Sequence, residues 1–384
     1  MVVAPGPTSG HGRPVSKSWL ALACVVLLFG AAGACNTAEL KQPYGASSSS
    51  TSGGIEDPGS EELEAGAVDG ARDPVPDAAV IRTSTGVTVQ IQPSDFGAQV
   101  EASIRAAQAS VHMTMYLLTG TSIVDALGDL HDAGKDVKVV LNKTFPPNGG
   151  DNSSAFAKLQ QRGVPVVYAP SAYTFTHAKT VIIDSSKVLV MTMNLTQTSA
   201  GSNREYIATD SDPADVADCE KLFAADYAGN AITLDGKLVV SPEAAQPVSP
   251  GLRLKALIDS AKTSVDVEVQ ALSDTGLTDA IIAAHRGKVA VRVVLSGEPG
   301  QSPGELAMIA KLKAAGVPLR GVLEPYIHAK TIVVDGTRLF VGSQNFTPTA
   351  LKQNREVGVV TDSAVESKKV VDVIAQDFTA GTAF

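Results

Sequence analysis

The chain has 384 residues, 44% of them hydrophobic, and a formal net charge of −9 at pH 7. Residues 1–50 contribute +2 and residues 51–80 contribute −7, which leaves −4 for the rest of the chain and argues against a non-specific nucleic-acid binder, whose surface is basic. Of three cysteines only Cys219 follows residue 35, so disulfides are not the source of stability, and about 300 residues bury enough surface without them.

The amino-terminal 35 residues have the pattern of an export signal. Arg13 and Lys17 precede an apolar run over residues 19–34, which ends in small residues before Cys35. This order is typical of a secretory signal peptide, and the run is short for a membrane span. Because residues 32–35 (AGAC) are similar to a bacterial lipobox, we expect a lipid anchor at Cys35 and a membrane-anchored lipoprotein of the bacterial cell envelope. Cleavage without lipidation, giving a secreted or periplasmic protein, and an uncleaved anchor are the alternatives.

Residues 36–80 are predicted to be a disordered tether. They contain a serine-rich stretch at 47–52 and, between residues 56 and 77, eight acidic residues against Arg72. Such a segment cannot bury enough apolar surface to offset the entropy cost of ordering.

From residue 81 onward, helical and strand patterns alternate. Helices are predicted at residues 98–108 and 123–132 of the first half and at 252–262 and 277–285 of the second. Strands are predicted at residues 111–118 and 137–141 of the first half and at 265–272 and 291–295 of the second. Near-continuous apolar strands between helices predict an α/β fold whose sheets are covered on both faces. Further on, strand signals at 330–334 and 338–341 flank Asp335-Gly336, which predicts a hairpin.

The two halves of this region are copies of one another. Residues 110–126 match 264–280 at an offset of 154, and residues 137–141 match 291–295 at the same offset. The period is too long for a solenoid repeat, so it indicates a duplicated domain. We expect the first half at residues 81–235 and the second at 236–384.

A set of polar residues is duplicated as well, 151 residues apart and without insertions. The first copy is His177, Lys179, Asp184, Asn194 and Glu205; the second is His328, Lys330, Asp335, Asn345 and Glu356. Core packing can preserve an apolar pattern, but it has no use for the same His, Lys, Asn and Glu. The repetition therefore indicates an enzyme with one active site built from both halves.

The types of residue in this set suit a phosphodiester. Positions i and i+2 of a strand lie on one face, so each histidine points the same way as its lysine. A histidine can act as a nucleophile or move a proton near neutral pH, while lysine and asparagine stabilise phosphate oxygens. One histidine can attack phosphorus while the other protonates the leaving oxygen. No His/Cys/Asp cluster has metal-ligand spacing, so we expect neither a cofactor nor a catalytic metal.

The motifs HAKTVIID at 177–184 and HAKTIVVD at 328–335 resemble the paired H-x-K-x4-D motifs of the phospholipase D superfamily. The Gly-Ser-x-Asn element that usually follows is intact at 342–345, whereas residues 191–194 read MTMN, which keeps a hydroxyl and the Asn but loses the Gly. The resemblance implies two αβα sandwich halves related by a pseudo-twofold axis, with the active site at their interface, so that a monomer suffices. It also implies a two-step displacement through a phosphohistidine, with His177 as the nucleophile and His328 as acid and base.

The acidic residues of the set have two different roles under this resemblance. Glu205 and Glu356 each fall 28 residues after their histidine and are expected to orient an imidazole. Asp184 and Asp335, at the predicted turns, are either direct participants or structural supports. Tyr173 and Phe175 before the first motif, and Tyr326 before the second, either line the substrate entrance or pack beneath it.

The leading functional prediction is a phospholipase D-like phosphodiesterase that hydrolyses or transfers phospholipid head groups, with phospholipid and membrane as its partners. A nuclease of the same superfamily is the first alternative, which the acidic charge disfavours. A cardiolipin-synthase-like transferase is the second, although such enzymes usually carry amino-terminal membrane spans. The third is a tethered binding module without activity, which the two complete motif sets disfavour. The loops at 142–158 and 296–305 are expected to set the substrate.

Overall fold

The computed structural model describes residues 81–146 and 149–384. The predicted export signal, the lipid anchor at Cys35 and the predicted tether lie outside these residues. Among the helices of residues 81–146 and 149–384, none combines the length and the hydrophobicity that a membrane span requires.

The first half contains seven strands and five helices. Its strands are β1 (Val87–Gln92), β2 (Ser110–Met115), β3 (Asp136–Leu141), β4 (Val166–Tyr168), β5 (Lys179–Ile183), β6 (Lys187–Met191) and β7 (Asn203–Asp210). Its helices are α1 (Ala98–Arg105), α2 (Thr121–Asp132), α3 (Ser153–Gln161), α4 (Gln197–Ser202) and α5 (Pro213–Ala228).

The second half repeats this order. Its strands are β8 (Val239–Ser241), β9 (Ser264–Val269), β10 (Ala290–Ser296), β11 (Leu319–Val322), β12 (Tyr326–Ile327), β13 (Lys330–Val334), β14 (Arg338–Gly342) and β15 (Glu356–Thr361). Its helices are α6 (Pro250–Asp259), α7 (Thr275–Arg286), α8 (Pro303–Ala314), α9 (Pro348–Lys352) and α10 (Ala364–Ala380), with a 3₁₀ turn at Glu243–Ala245.

The strands form two sheets with the same order. The first runs β4-β3-β2-β5-β6-β7-β1 and the second β11-β10-β9-β13-β14-β15-β8. In each sheet three strands are parallel, β2, β3 and β4 in one and β9, β10 and β11 in the other. The motif strand pairs antiparallel with both neighbours, β5 with β2 and β6, and β13 with β9 and β14. The predicted duplicated αβα sandwich is confirmed.

Three apolar cores hold these layers together. One packs helices α1–α3 on the first sheet, and a second packs α6–α8 on the other sheet. The third contains residues of both sheets together with α5 and α10, and it includes the buried Cys219. Valine, isoleucine and leucine dominate all three, as expected for strands buried on both faces.

The strand directions bring both motifs to one side of the sheets. Strands β2 and β9 end where β5 and β13 begin, since Met115 pairs with Lys179 and Val269 with Lys330. We call this side, where β2, β3, β9 and β10 end, the carboxyl edge. At the opposite edge the motif strands turn back through Asp184 and Asp335, which both have a φ of 54°. Positive φ is the geometry that a two-residue hairpin turn requires, so the predicted hairpin is present.

Candidate active site

The backbone in front of each motif is bound to the other half. Strand β12 pairs in parallel with the first residues of β7, and Thr176 forms the equivalent bridge to Arg355. The amide of His177 donates to the carbonyl of Arg355 at 2.9 Å, and the amide of His328 donates to the carbonyl of Arg204 at 3.2 Å. Each histidine is therefore positioned by the backbone of the half to which it does not belong.

The same exchange holds for the histidine side chains. His177 Nδ1 lies 2.9 Å from Glu356 Oε2, and His328 Nδ1 lies 2.8 Å from Glu205 Oε1. Both carboxylates are fully buried. A carboxylate at Nδ1 fixes the ring and its tautomer, leaving the lone pair on Nε2. The predicted partnership of Glu and His exists, but each glutamate serves the histidine of the opposite half.

Short polar side chains hold the glutamates in place. Thr192 Oγ1 donates to Glu205 Oε2 at 2.5 Å, and Asn203 Nδ2 lies 3.3 Å from Glu205 Oε1. In the other half Asn354 Nδ2 donates to Glu356 Oε1 at 3.0 Å. Thr192 is the hydroxyl residue of MTMN, so the departure from Gly-Ser-x-Asn keeps the contact that its hydroxyl makes.

Both motif lysines are buried beside their histidines. The Nζ of Lys179 donates to the carbonyl of His177, and the Nζ of Lys330 to that of His328, each at 2.6 Å. Burial lowers the pKa of Lys330 to about 8, against the opposing pull of the two glutamates. Burial also lowers the pKa of Lys179 well below its usual value, with repulsion from Lys330 adding to the effect. The site thus places two ammonium groups beside the histidines, with the buried Glu205 and Glu356 as their counter-charges.

The pKa values of the two histidines depend on burial and on the charges of these lysines. Burial, and then the charges of Lys179 and Lys330, hold the pKa of His177 well below its usual value. Burial lowers the pKa of His328 to about 4, although Glu205 works in the opposite direction. Without a bound anion both imidazoles are therefore neutral at pH 7, and each has a buried carboxylate at its Nδ1.

The two asparagines of the set lie at the same edge. Asn194 is 8% exposed and its Oδ1 has no hydrogen-bond partner among the described residues. Asn345 is fully buried, and its Nδ2 lies 3.3 Å from Gln270 Oε1. Both follow the strand next to the motif strand, so they lie beside the lysines that they were predicted to assist.

The two aspartates lie elsewhere. Asp184 accepts hydrogen bonds from the amides of residues 108–110 at 2.7–3.0 Å. Asp335 accepts from the amides of residues 262–264 at 2.6–3.0 Å. Strand β5, which is five residues or about 17 Å long, lies between Asp184 and His177. Of the two roles left open by the sequence, these contacts favour structural support: each aspartate binds the start of the strand beside its motif.

Two site residues were not identified from the sequence. The ring centroid of Tyr116 lies 4.6 Å from that of His177, edge to face, and 4.8 Å from Lys179 Nζ. Gln270 accepts from Lys330 Nζ at 3.0 Å. Both directly follow a strand and occupy equivalent positions 154 residues apart, but they differ in type. A search for residues that are identical in the two halves therefore does not find them. Their equivalent position, directly after a strand in each half, could have identified them.

Two ion pairs, each between an arginine of one half and an aspartate of the other, join the halves next to the site. The guanidinium of Arg355 binds Asp226 of α5 at 2.9 Å, and that of Arg204 binds Asp377 of α10 at 2.6 Å. Each pair joins a strand of one half to the last helix of the other. Since the carbonyls of these arginines accept the histidine amides, the ion pairs support the positions of both histidines.

The residues before the motifs divide between the two predicted roles. Tyr173 packs beneath the site, with its ring centroid 4.3 Å from the guanidinium carbon of Arg355. The ring centroid of Phe175 lies 6.1 Å from that of Tyr116, and Tyr326 Oη accepts from Gln270 Nε2 at 2.9 Å. One side of the site is therefore lined by aromatic rings and the other by an amide and a phenol.

Among residues 81–146 and 149–384 no group of three or more His, Cys, Asp and Glu side chains is arranged to hold a metal ion. The groups that can bind an anionic oxygen here are the lysine ammonium groups and the asparagine amides, which fit the non-bridging oxygens of a phosphodiester.

Comparison with known proteins agrees with this geometry. The sequence model of a family described as "Cardiolipin synthase, PLD-like domain" matches residues 100–227 and again residues 254–380. A mitochondrial cardiolipin hydrolase of Xenopus laevis is 35% identical over 114 residues, which are 29% of this chain and 53% of that protein. A phospholipase D of Rickettsia bellii (strain RML369-C) is 30% identical over 108 residues, which are 28% of this chain and 53% of that protein. Each match spans about half the length of the relative.

Among solved structures, the phosphatidylserine synthase of Haemophilus influenzae Rd KW20 superposes with a TM-score of 0.60 at 11% identity. The superposition covers 79% of this chain and 88% of that one. At this level of identity the match concerns the fold, in which two similar halves face each other.

Proposed function

The chain belongs to the phospholipase D superfamily, and from this premise we propose that it is a phosphodiesterase that hydrolyses or transfers phospholipid head groups through a phosphohistidine. The observation that carries the proposal is the reciprocal pairing of His177 with Glu356 and of His328 with Glu205, at 2.9 and 2.8 Å. Two oriented imidazoles, each beside a buried lysine, supply a nucleophile and a proton carrier for one phosphorus atom.

In the first step, Nε2 of His177 attacks phosphorus and the bond to the head-group oxygen breaks. His328 gives its proton to that oxygen, and the phosphatidyl group stays on His177. In the second step, His328 removes a proton from water, whose oxygen attacks phosphorus and displaces His177. An alcohol in place of water gives transfer instead of hydrolysis.

The electrostatics of the site fit a neutral nucleophile. Burial and two lysines hold the pKa of His177 well below its usual value, which keeps its ring neutral as a nucleophile must be. The pKa of His328 is lowered by burial to about 4, but Glu205 opposes the shift. A phosphodiester brings a negative charge next to four basic groups and favours their protonated forms. We therefore expect the substrate to be bound together with a proton, which resides on His328.

A phospholipid is the proposed substrate because the similar proteins include a cardiolipin hydrolase and a phospholipase D by name. The amide of Gln270 and the phenol of Tyr326 beside His328 fit this choice, since the alcohol that leaves toward His328 is then the polar head group. One chain suffices for activity, because both halves of the site belong to it.

We further propose that the protein is exported and anchored to the bacterial envelope through a lipid on Cys35. Labelling of cells with a radioactive fatty acid tests this, with Cys35→Ser as the control. Label that persists in the variant, or a protein that is never labelled, contradicts the anchor without touching the catalytic proposal.

The activity is tested with the full chain in detergent and with EDTA present. Phosphatidylcholine, phosphatidylglycerol, cardiolipin and single-stranded DNA are offered in parallel, with and without glycerol as an acceptor. His177→Ala is expected to abolish release of head groups, whereas His285→Ala, a histidine of α7 away from the site, leaves it intact. Cleavage of DNA without turnover of lipid would assign the protein to the nucleases of the superfamily instead.

A further inference from the structure

Large apolar side chains that are exposed to solvent are few in this protein. Among residues 81–146 and 149–384 they are Phe96, Leu252, Leu306, Leu323 and Val365, with exposures of 76%, 46%, 52%, 52% and 68%. Single exposed leucines are ordinary, so their positions matter more than their number. Four of the five lie at the carboxyl edge, around the active site, and Val365 lies at the opposite edge.

Phe96 belongs to the loop after β1. Strand β1 ends at Gln92, which pairs with the catalytic Glu205 and whose carbonyl accepts from the guanidinium of Arg204. The loop also lies against α4, because a Cβ added at Gly201 would come within 3.1 Å of the Phe96 ring. The ring is therefore held at the rim of the site by the segment that follows Asn194.

The backbone of Phe96 is strained. Its φ is 55°, a value that is uncommon for residues other than Gly, Asn and Asp and is a marked outlier for a bulky side chain. Strain of this kind persists where the surrounding structure requires it. Here the strained residue touches α4 with one edge of its ring and is 76% exposed to solvent.

Leu323 occupies the corresponding rim of the second half. It follows directly after β11, which ends at the carboxyl edge beside β10, and it precedes the tyrosine that binds Gln270. The Phe96 loop lies near the end of α10, because Arg204 binds both the carbonyl of Gln92 and Asp377 of that helix. The Leu323 loop lies near the same helix end, because Gly381 packs on the neighbouring Val322.

Leu306 and Leu252 extend the rim. Leu306 lies in the first turn of α8, which begins after the loop that leaves β10, and the neighbouring Gly304 packs on Ser273 at the same edge. Leu252 lies in the first turn of α6, next to Gly251, which packs on Leu351 of α9. Val365 by contrast begins α10, after β15 has run to the edge where Asp184 and Asp335 lie.

We propose that Phe96, Leu252, Leu306 and Leu323 form a rim that inserts into a phospholipid surface and places the active site over the head groups. The proposal rests on the proposed function for the identity of the surface. The four side chains come from four separate segments at the carboxyl edge of the sheets. Separate apolar points suit a fluid surface, into which each can insert to its own depth, better than the shaped face of a protein partner.

Insertion is measured by quenching of tryptophan fluorescence on vesicles of phosphatidylcholine and phosphatidylglycerol with brominated acyl chains. The chain has one tryptophan, Trp19, which is changed by Trp19→Phe to give a silent background. In that background we compare Phe96→Trp with Val365→Trp. Both variants carry the same amino-terminal segment, so any anchoring there acts equally on both.

We expect the tryptophan at position 96 to be quenched and blue-shifted, and the one at 365 to be unaffected. Equal quenching at both positions, or none at 96, overturns the rim.

A second measurement separates the rim from the catalytic site. We expect Phe96→Ser with Leu323→Ser to lower turnover of vesicle phospholipid at least about tenfold, the factor expected from losing one large apolar side chain from the bilayer. Turnover of soluble bis(p-nitrophenyl) phosphate should not change, and Val365→Ser should change neither rate. An equal loss on both substrates overturns the rim, because it shows damage to the site. A parent protein that cleaves neither substrate overturns the proposed function, while the quenching experiment still decides the rim.

Discussion

The exchange of carboxylates between the halves predicts which variants share a defect. If Glu356 serves His177 and Glu205 serves His328, then Glu356→Gln should fail at the step that His177→Ala blocks. Glu205→Gln should fail at the step that His328→Ala blocks. Pairing within each half would give the opposite assignment, since each glutamate follows the histidine of its own half in the sequence.

The size of the loss follows from burial. Both carboxylates are fully buried and lie 2.9 and 2.8 Å from the Nδ1 atoms. A hydrogen bond to a charged group contributes about 1.5–3 kcal/mol, which corresponds to about 10- to 200-fold in rate. A glutamine can also donate to Nδ1 and so place the proton on Nε2, and an equivalent change in a serine protease lowers kcat by about 10⁴. We expect each substitution to lower kcat by about 10²- to 10⁴-fold.

Bis(p-nitrophenyl) phosphate separates the two steps, because p-nitrophenolate leaves without needing a proton. With this substrate Glu205→Gln and His328→Ala should release one equivalent of p-nitrophenol quickly and then stall with a phosphorylated His177. Glu356→Gln and His177→Ala should show no such burst. The burst is followed by stopped flow, and the phosphohistidine by mass spectrometry of peptides prepared at alkaline pH.

Two outcomes would refute different parts of the reasoning. If Glu205→Gln loses the burst together with His177→Ala, the carboxylates act within their own halves and the described pairing is not the catalytic one. If the whole pattern is exchanged, so that His328→Ala and Glu205→Gln both lose the burst, the pairing stands and His328 is the nucleophile.

Three further outcomes are expected. The value of kcat/KM should fall above about pH 8, because Lys330 has a pKa lowered by burial to about 8 and loses the charge that binds phosphate; a profile flat to pH 10 would contradict this. Burial, with repulsion from Asp215, raises the pKa of Asp210 from 3.8 to about 7, so the folded state binds a proton that the unfolded state releases, and urea unfolding should show stability decreasing between about pH 4 and pH 7. Asp210→Asn should reduce that dependence without removing it, because burial also raises the pKa of Glu356 to about 7; an unchanged slope would rule out Asp210 as a contributor. Asp335→Ala should lower the free energy of unfolding by about 1–3 kcal/mol, since the amides of residues 262–264, two of them exposed and one part-buried, lose a charged acceptor. The value of kcat in the folded protein should change less than about threefold; a loss of activity without a loss of stability would place Asp335 in the catalytic set.

Much of the fold could be predicted from the sequence because each helix and strand pattern occurs twice, once in each half. The strand predicted at 137–141 is β3 (Asp136–Leu141), and the helix predicted at 277–285 is α7 (Thr275–Arg286). The strand predicted over 111–118 ends instead at Met115. Residues 116–118 are as apolar as the strand itself, but they are buried in the loop that carries Tyr116 into the site, and apolar character alone does not distinguish the two.

The sequence predicted which residues form the site, but it did not predict which glutamate binds which histidine. Spacing identified His177, Glu205, His328 and Glu356, and the strand period placed each lysine beside its histidine. The exchange between halves has no signature in the spacing, because both arrangements conserve the same residues at the same separations. It depends on β12 pairing with β7, a contact between segments that lie more than 100 residues apart.

This exchange gives a physical reason for keeping two similar halves in one chain. A single half has a histidine without its carboxylate and without the carbonyl that holds its backbone, and its arginine lacks the aspartate that neutralises it. In the whole chain both glutamates and the Arg355 guanidinium are buried, and removing one partner of a buried ion pair costs about 3–5 kcal/mol. Docking of the halves therefore completes both the fold and the two histidine–glutamate pairs in one event. Divergence is tolerated where no exchange takes place, as at Tyr116 and Gln270, and it is there that two matching halves can become a nucleophile side and a leaving-group side.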